Sequence, residues 1–177
     1  MLSNKSIQDS NSAVPAVRNE SAAPDMPLLA SGRKKRWSHG SLFFSLFFFV
    51  PLIISRPLPI ETWVLQTLGY LSFVILYIKA INQPVKTLPT YLLLMFLLSV
   101  ACSFQNPGGA TIIGFIAFIV GYYNSLKTGI MSIGVMMLVL VSLHITVFNN
   151  AHFLLSASLL NSLVLFGFGV MERKETL

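Results

Sequence analysis

Few side chains in this sequence are equipped for chemistry, and their placement decides what chemistry is open. The 177 residues include six Asp and Glu, three His and one Cys. No Asp, Glu, Lys or Arg falls near the middle of an apolar run, which removes the usual elements of proton relays, ion pathways and charged-substrate sites. No H-E-x-x-H, no phosphate-cradling Gly-rich loop and no Ser-His-acid arrangement occurs, and no carboxylates pair within an apolar run. Catalytic, cofactor-binding and metal residues are therefore not expected. His144 and His152 sit at the facing ends of two consecutive apolar runs and could converge, yet two imidazoles without a carboxylate or thiolate make a poor metal site. Ordinary packing at a membrane interface is the expectation for both, and His39, beside a basic cluster, has no better reading. Cys102 is alone within an apolar run, so it supports neither a disulfide nor a Cys-ligated metal within one chain and reads as a small apolar packer.

What remains is the chemistry of conformation. Asn106-Pro107-Gly108-Gly109 combines an Asn able to bond its own backbone, a fixed φ and two residues free to take positive φ, a turn expected to act as a hinge. Behind it Ala110, Gly114, Ala117 and Gly121 recur at spacings of four, three and four, stacking small side chains on one helix face. In lipid, where burying Leu against Leu gains little, such a face supplies packing energy by close backbone approach. Further on, Leu155, Ser158, Ser162, Leu165 and Gly169 follow the alternating three and four spacing of a helix seam, with Asn161 beside it. Ser158, Asn161 and Ser162 form the expected signal-transmitting or dimer face, with packing inside one chain equally open.

These residues need a membrane bundle to position them. The hydrophobic fraction is 54%, 10% of residues are charged and the mean hydropathy is +0.73, a composition solvated by lipid. Residues 1–36 are rich in Ser, Asn, Ala and Pro and read as a disordered cytoplasmic tail. They end in Arg33, Lys34, Lys35 and Arg36, expected to be topology anchors. The +6 net charge does not point to nucleic acid, because the basic residues abut apolar runs, where they set topology and meet anionic headgroups. Residues 37–171 divide into six apolar segments: about 38–55 with a kink at Pro51, 61–78, 88–104 with Pro89 in its first turn, 109–123, 129–148 and 152–170. Residues 172–177 read as the start of a cytoplasmic connector helix. The fold class is all-α, a polytopic bundle of six transmembrane helices. With both termini cytoplasmic, nine flanking basic residues face inward and Arg56 alone lies outside, as the positive-inside rule asks.

Asn106-Pro107-Gly108-Gly109-Ala110 leading into an apolar span, and Glu172-Arg173-Lys174-Glu175 leaving one, resemble the membrane sensor region of DesK-like bacterial sensor histidine kinases. The multi-span layout is similar over residues 37–177. The resemblance implies the input module of a two-component system in the bacterial inner membrane, a homodimer whose last span continues toward a cytoplasmic kinase module acting on a response regulator. No phosphoacceptor His box or Gly-rich ATP site occurs, so the kinase part is not expected in this chain. A small transporter or channel subunit, or a structural membrane protein without catalysis, are the competing classes. The fourth segment, fifteen apolar residues or about 22 Å of helix, is shorter than a hydrocarbon core of about 30 Å. It is expected to tilt about the turn as bilayer thickness changes.

The orientation is open to a direct test. In a Cys102→Ser background, a Leu58→Cys variant reacts with an impermeant maleimide in intact cells and a Gln83→Cys variant reacts after permeabilisation. The opposite pattern would invert the topology.

Overall fold

The computed structural model describes residues 41–54, 57–147 and 152–176. The N-terminal tail, Arg33, Lys34, Lys35, Arg36, His39 and Arg56 lie outside the described residues, as do the side chains of His152 and Ser158. Every element is helical, and among the described residues there is no strand. A 3-10 segment, Ser41–Phe48, leads to α1 (Val50–Ile54). The long helices are α2 (Ile60–Asn82), α3 (Leu88–Ser103), α4 (Thr111–Tyr123), α5 (Leu126–Val147) and α6 (His152–Thr176). Short 3-10 turns, Val85–Thr87 and Pro107–Ala110, open α3 and α4.

Among the described residues, three helical stretches are long and apolar enough to cross a membrane: Ile60–Asn82, Val85–Ser103 and Leu126–Thr146. Helices are the form expected of such sequences, because lipid offers no partner to an open backbone group. Exposed hydroxyls and amides on them follow the same rule. Ser72, Ser142 and Thr146 donate to the carbonyl one turn back, as does Asn82 at the end of α2, each at 2.8–2.9 Å. Two further apolar stretches, Leu42–Ile54 and Pro107–Tyr123, are shorter. The first, expected over about 38–55 with a kink at Pro51, is interrupted more sharply than a kink over its described residues 41–54. It breaks at Phe49, two residues ahead of Pro51, because Pro51 has no N–H to donate and its ring crowds the carbonyl of Phe47.

The bundle is built around α4. All thirteen of its residues are buried, whereas 28% of the spanning window of α2 and 22% of those of α3 and α5 are buried. Two aromatic contacts fix α2 to its outside, Phe73 and Tyr77 meeting Phe115 edge-on with ring centroids 5.0 and 5.2 Å apart. Tyr70 extends this cluster toward the first segment, 5.7 Å from Phe48 and with its hydroxyl 2.7 Å from Ser45 Oγ. Helix α3 returns against α2, with Cys102 Sγ filling the space over Gly69.

The most extensive contact is between α4 and α6. Gly114 lies against Asn161, Ser162 and Leu165, and Gly121 against Phe166 and Val170; Gly169 in turn lies against Phe118 and Tyr122. The register advances in the same direction on both helices, so they run parallel and α5 carries the chain back between them. The backbones nearly touch: a methyl group on Gly169 would sit 2.1 Å from the Phe118 carbonyl oxygen. One end of the bundle gathers Val85, Tyr123 and Asn124 around a common cavity, with Arg173 bonded to Asn124. The other holds Asn106 and Gly108 against Phe48.

This geometry predicts a contrast between two glycines. Gly169→Ala must push α6 off α4 and should lower unfolding stability in detergent by about 1–3 kcal/mol. Gly134, which has nothing within 4 Å of an added Cβ, should accept Ala with no loss or a gain of about 0.5–1 kcal/mol. Denaturant titration of both variants, followed by circular dichroism, checks it.

Candidate functional site

The turn at Asn106 is a buried clamp. Asn106 is fully enclosed, at 0% exposure, and uses both ends of its amide. Nδ2 donates to the Phe48 carbonyl at 2.9 Å, and Oδ1 accepts from the Gly108 N–H at 2.9 Å. The residue ahead of a proline is driven to extended backbone, and Asn106 adopts φ −140°, ψ 109°. That conformation aims its side chain at the first turn of Pro107–Ala110, where an Asn cap satisfies an otherwise orphaned donor. Pro107 occupies a first-turn position, where its missing N–H costs nothing.

Gly108 and Gly109 are required for a reason other than the expected one. Neither adopts positive φ; both sit where no Cβ fits. A methyl on Gly108 would lie 2.2 Å from the Phe48 carbonyl oxygen, and one on Gly109 would lie 2.7 Å from the Ser103 nitrogen. The Gly109 carbonyl accepts from Ser99 Oγ at 2.8 Å. The expected hinge is thus tied to the first segment through Phe48 and to α3 through Ser99. Swinging it would break these two buried hydrogen bonds, at about 0.5–1.5 kcal/mol apiece and more where a group is left dry and unpaired.

The small-residue stripe is equally enclosed. Ala110, Gly114, Ala117 and Gly121 are all buried, and both glycines face α6. Across from them Ser162 and Leu165 are each 1% exposed, so Ser162 packs within the chain. A partner helix approaching α6 from outside would meet Leu160, Leu163, Val164 and Met171 instead, all of them exposed. Asn161 stands at the edge of the seam. Its Nδ2 is buried near Gly114 with no hydrogen-bond partner among the described residues, and it borders an apolar cavity of about 420 Å³ between the first segment and α6. Gly108, Thr111 and Pro51 share that lining.

Helix α6 does not stop where its apolar run ends. It continues through Met171, Glu172, Arg173 and Lys174 to Thr176, as the absence of Pro or Gly there leads one to expect. The exit is held to the bundle: the Arg173 guanidinium donates to the Asn124 carbonyl, at the C-terminal cap of α4, where the helix dipole favours a cation. No local signal pairs residues 49 positions apart, so the contact was not legible in the sequence. Beside it Glu172 is 5% exposed.

Two further candidates are placed as follows. His144 is buried, with Nδ1 2.9 Å from the Leu140 carbonyl of its own helix. Cys102 is buried on α3. Among the described residues no group of three or more His, Cys, Asp or Glu is placed to hold a metal ion. The assembled site is therefore a mechanical unit in which the Asn106 clamp, the buried α4 and the exit of α6 form one connected body. Comparisons with protein-family models, curated proteins and solved structures return no match for this chain.

Asn106 can be dissected by substitution. Asn106→Ala removes both bonds and should cost about 2–4 kcal/mol, the sum of two buried hydrogen bonds with partners left unpaired. Asn106→Asp keeps the acceptor for Gly108 N–H and should lose less if the carboxyl is protonated. Detergent unfolding of the three proteins ranks them.

Proposed function

We propose that this chain is the membrane-embedded input module of a two-component sensor kinase, passing a signal from the bilayer to the cytoplasm through α6. The observation that carries the reading is the continuity of α6, a single helix over His152–Thr176. Its apolar half is seated on the fully buried α4, and its charged half leaves the bundle beside Asn124. Any rearrangement of the core is delivered to that exit, because rigid packed helices transmit displacement as units. On this reading all six segments traverse the bacterial inner membrane, with the basic ends of α2, α3, α5 and α6 cytoplasmic. A kinase module follows the α6 exit, and two copies pair so that their exits form a coiled-coil connector.

The route of the signal differs from a tilting fourth segment. Helix α4 has no lipid-facing residue, so a change in bilayer thickness cannot act on it directly. It acts on α2, α3 and α5, whose outward faces carry Leu65, Leu68, Leu93, Leu97, Val135 and Leu138. Helix α2 reaches α4 through Phe73 and Tyr77, α3 through the Ser99 bond to Gly109, and α5 through Gly129 beside Val120, and α4 reaches α6 through the glycine contacts. Each length mismatch contributes a fraction of a kcal/mol per Å, enough to bias a two-state exit if several helices add.

A chimera tests this. With α6 fused in helical register to a histidine kinase core and reconstituted in bilayers of increasing acyl-chain length, autophosphorylation should change several-fold across the series. The change should be blunted by Gly169→Ala. Constant output in every bilayer would count against an input role and favour a purely structural subunit.

A further inference from the structure

The geometry points to an anionic phospholipid site in the cleft between α3 and α5 at the basic end of the bundle. The site rests on the membrane-spanning reading above, but not on the signalling role. A cavity of about 380 Å³ lies between the two helices, within the roughly 300–1,000 Å³ usual for ligand clefts. Its walls are Leu92 and Phe96 on one side and Met136 on the other, and Ile119 and Val120 of α4 form the floor. The flanking faces of both helices are apolar and exposed, with Leu93 and Leu97 on α3 and Met131 and Val135 on α5, so the cleft opens to lipid and not to water. An acyl chain is the occupant of matching chemistry.

Polar groups border the cleft, and two lysines stand next to it along the chain. Tyr123, Asn124 and Ser132 border it. Lys86 lies between the lining residues Val85 and Leu88, and Lys127 is three residues beyond Asn124 at the start of α5; both are exposed. Two cations and several hydrogen-bonding groups beside an acyl-sized cleft suit a phosphate headgroup, the pattern by which basic pockets between helices hold anionic lipids. A zwitterionic headgroup would gain less, since its own cation cancels the attraction.

Asn124 belongs to both this mouth and the α6 exit, because its carbonyl accepts from Arg173. A phosphate seated at the mouth offers the Arg173 guanidinium a charged acceptor in place of a neutral carbonyl, and charge-assisted bonds are roughly twice as strong. Occupancy of the cleft is thereby linked to the hold of α4 on α6.

Photolabelling tests the site. The full chain is reconstituted in nanodiscs containing phosphatidylglycerol that carries a diazirine in its acyl chain, and in parallel with the corresponding phosphatidylcholine. Expected is preferential labelling of α3 and α5 peptides around Leu92, Phe96 and Met136 by the anionic probe. Labelling should fall about fivefold for each lysine removed in Lys86→Gln and Lys127→Gln. Ser132→Phe, which fills the cleft without altering charge, should abolish the preference. Lys79→Gln, on α2 and away from the cleft, should leave labelling unchanged, and circular dichroism verifies that each variant is folded. Equal labelling by the two probes, indifference to Lys86 and Lys127, or cross-links joining two copies of the chain through this cleft would each overturn the proposal. The kinase chimera reports on signalling alone, so failure there with intact lipid labelling leaves the site standing.

Discussion

Close approach between α4 and α6 is the contact on which the rest of the bundle depends. Burying apolar side chains gains little over lipid contact within a bilayer, so helices there are held by packing density and by polar groups with no other partner. Gly114, Gly121 and Gly169 supply the first, letting two parallel helices meet backbone to backbone. Once that pair is formed, α4 still presents Phe115, Ile112 and Ile119 outward, and α2, α3, α5 and the first segment close over them. A helix that is apolar all round belongs in an interior. Here the interior is the centre of a bundle whose outer helices keep most of their own surface for lipid.

Polar groups supply the second kind of hold, and they are concentrated at one end of α4. Asn106, Ser99, Ser103 and Thr111 are all buried around its start. In a medium without water their hydrogen bonds have no competitor, so the Phe48 carbonyl on the first segment and the Ser99 hydroxyl on α3 are committed to this turn. At the opposite end Arg173 donates to the Asn124 carbonyl, beside a second cavity.

The two ends also differ in what they offer the surroundings. The clamp end adjoins an apolar cavity bordered by Asn161 and Thr111, set between the first segment and α6. The exit end adjoins a second cavity, lined by Val85, Tyr123 and Asn124 among others.

Much of this was legible in the residues alone. Charge-free runs fixed the helical class, the grouping of basic residues around their ends suggested the orientation, and Pro89 and Pro107 marked helix starts that the structure contains. The uninterrupted run past Val170 foretold the continuation of α6, because helix termination is a local property. Spacing also put Gly114 and Gly121 on one face, since helical periodicity alone decides which residues share a side. Only the tertiary structure decided that this face meets α6, that the glycines after Pro107 serve close approach and not positive φ, and that Asn124 receives Arg173. Those outcomes depend on which surfaces meet across tens of residues, and in a uniformly apolar chain every surface is chemically eligible to meet every other. Composition therefore determined the solvent and the secondary structure, while the choice of neighbours was left to shape.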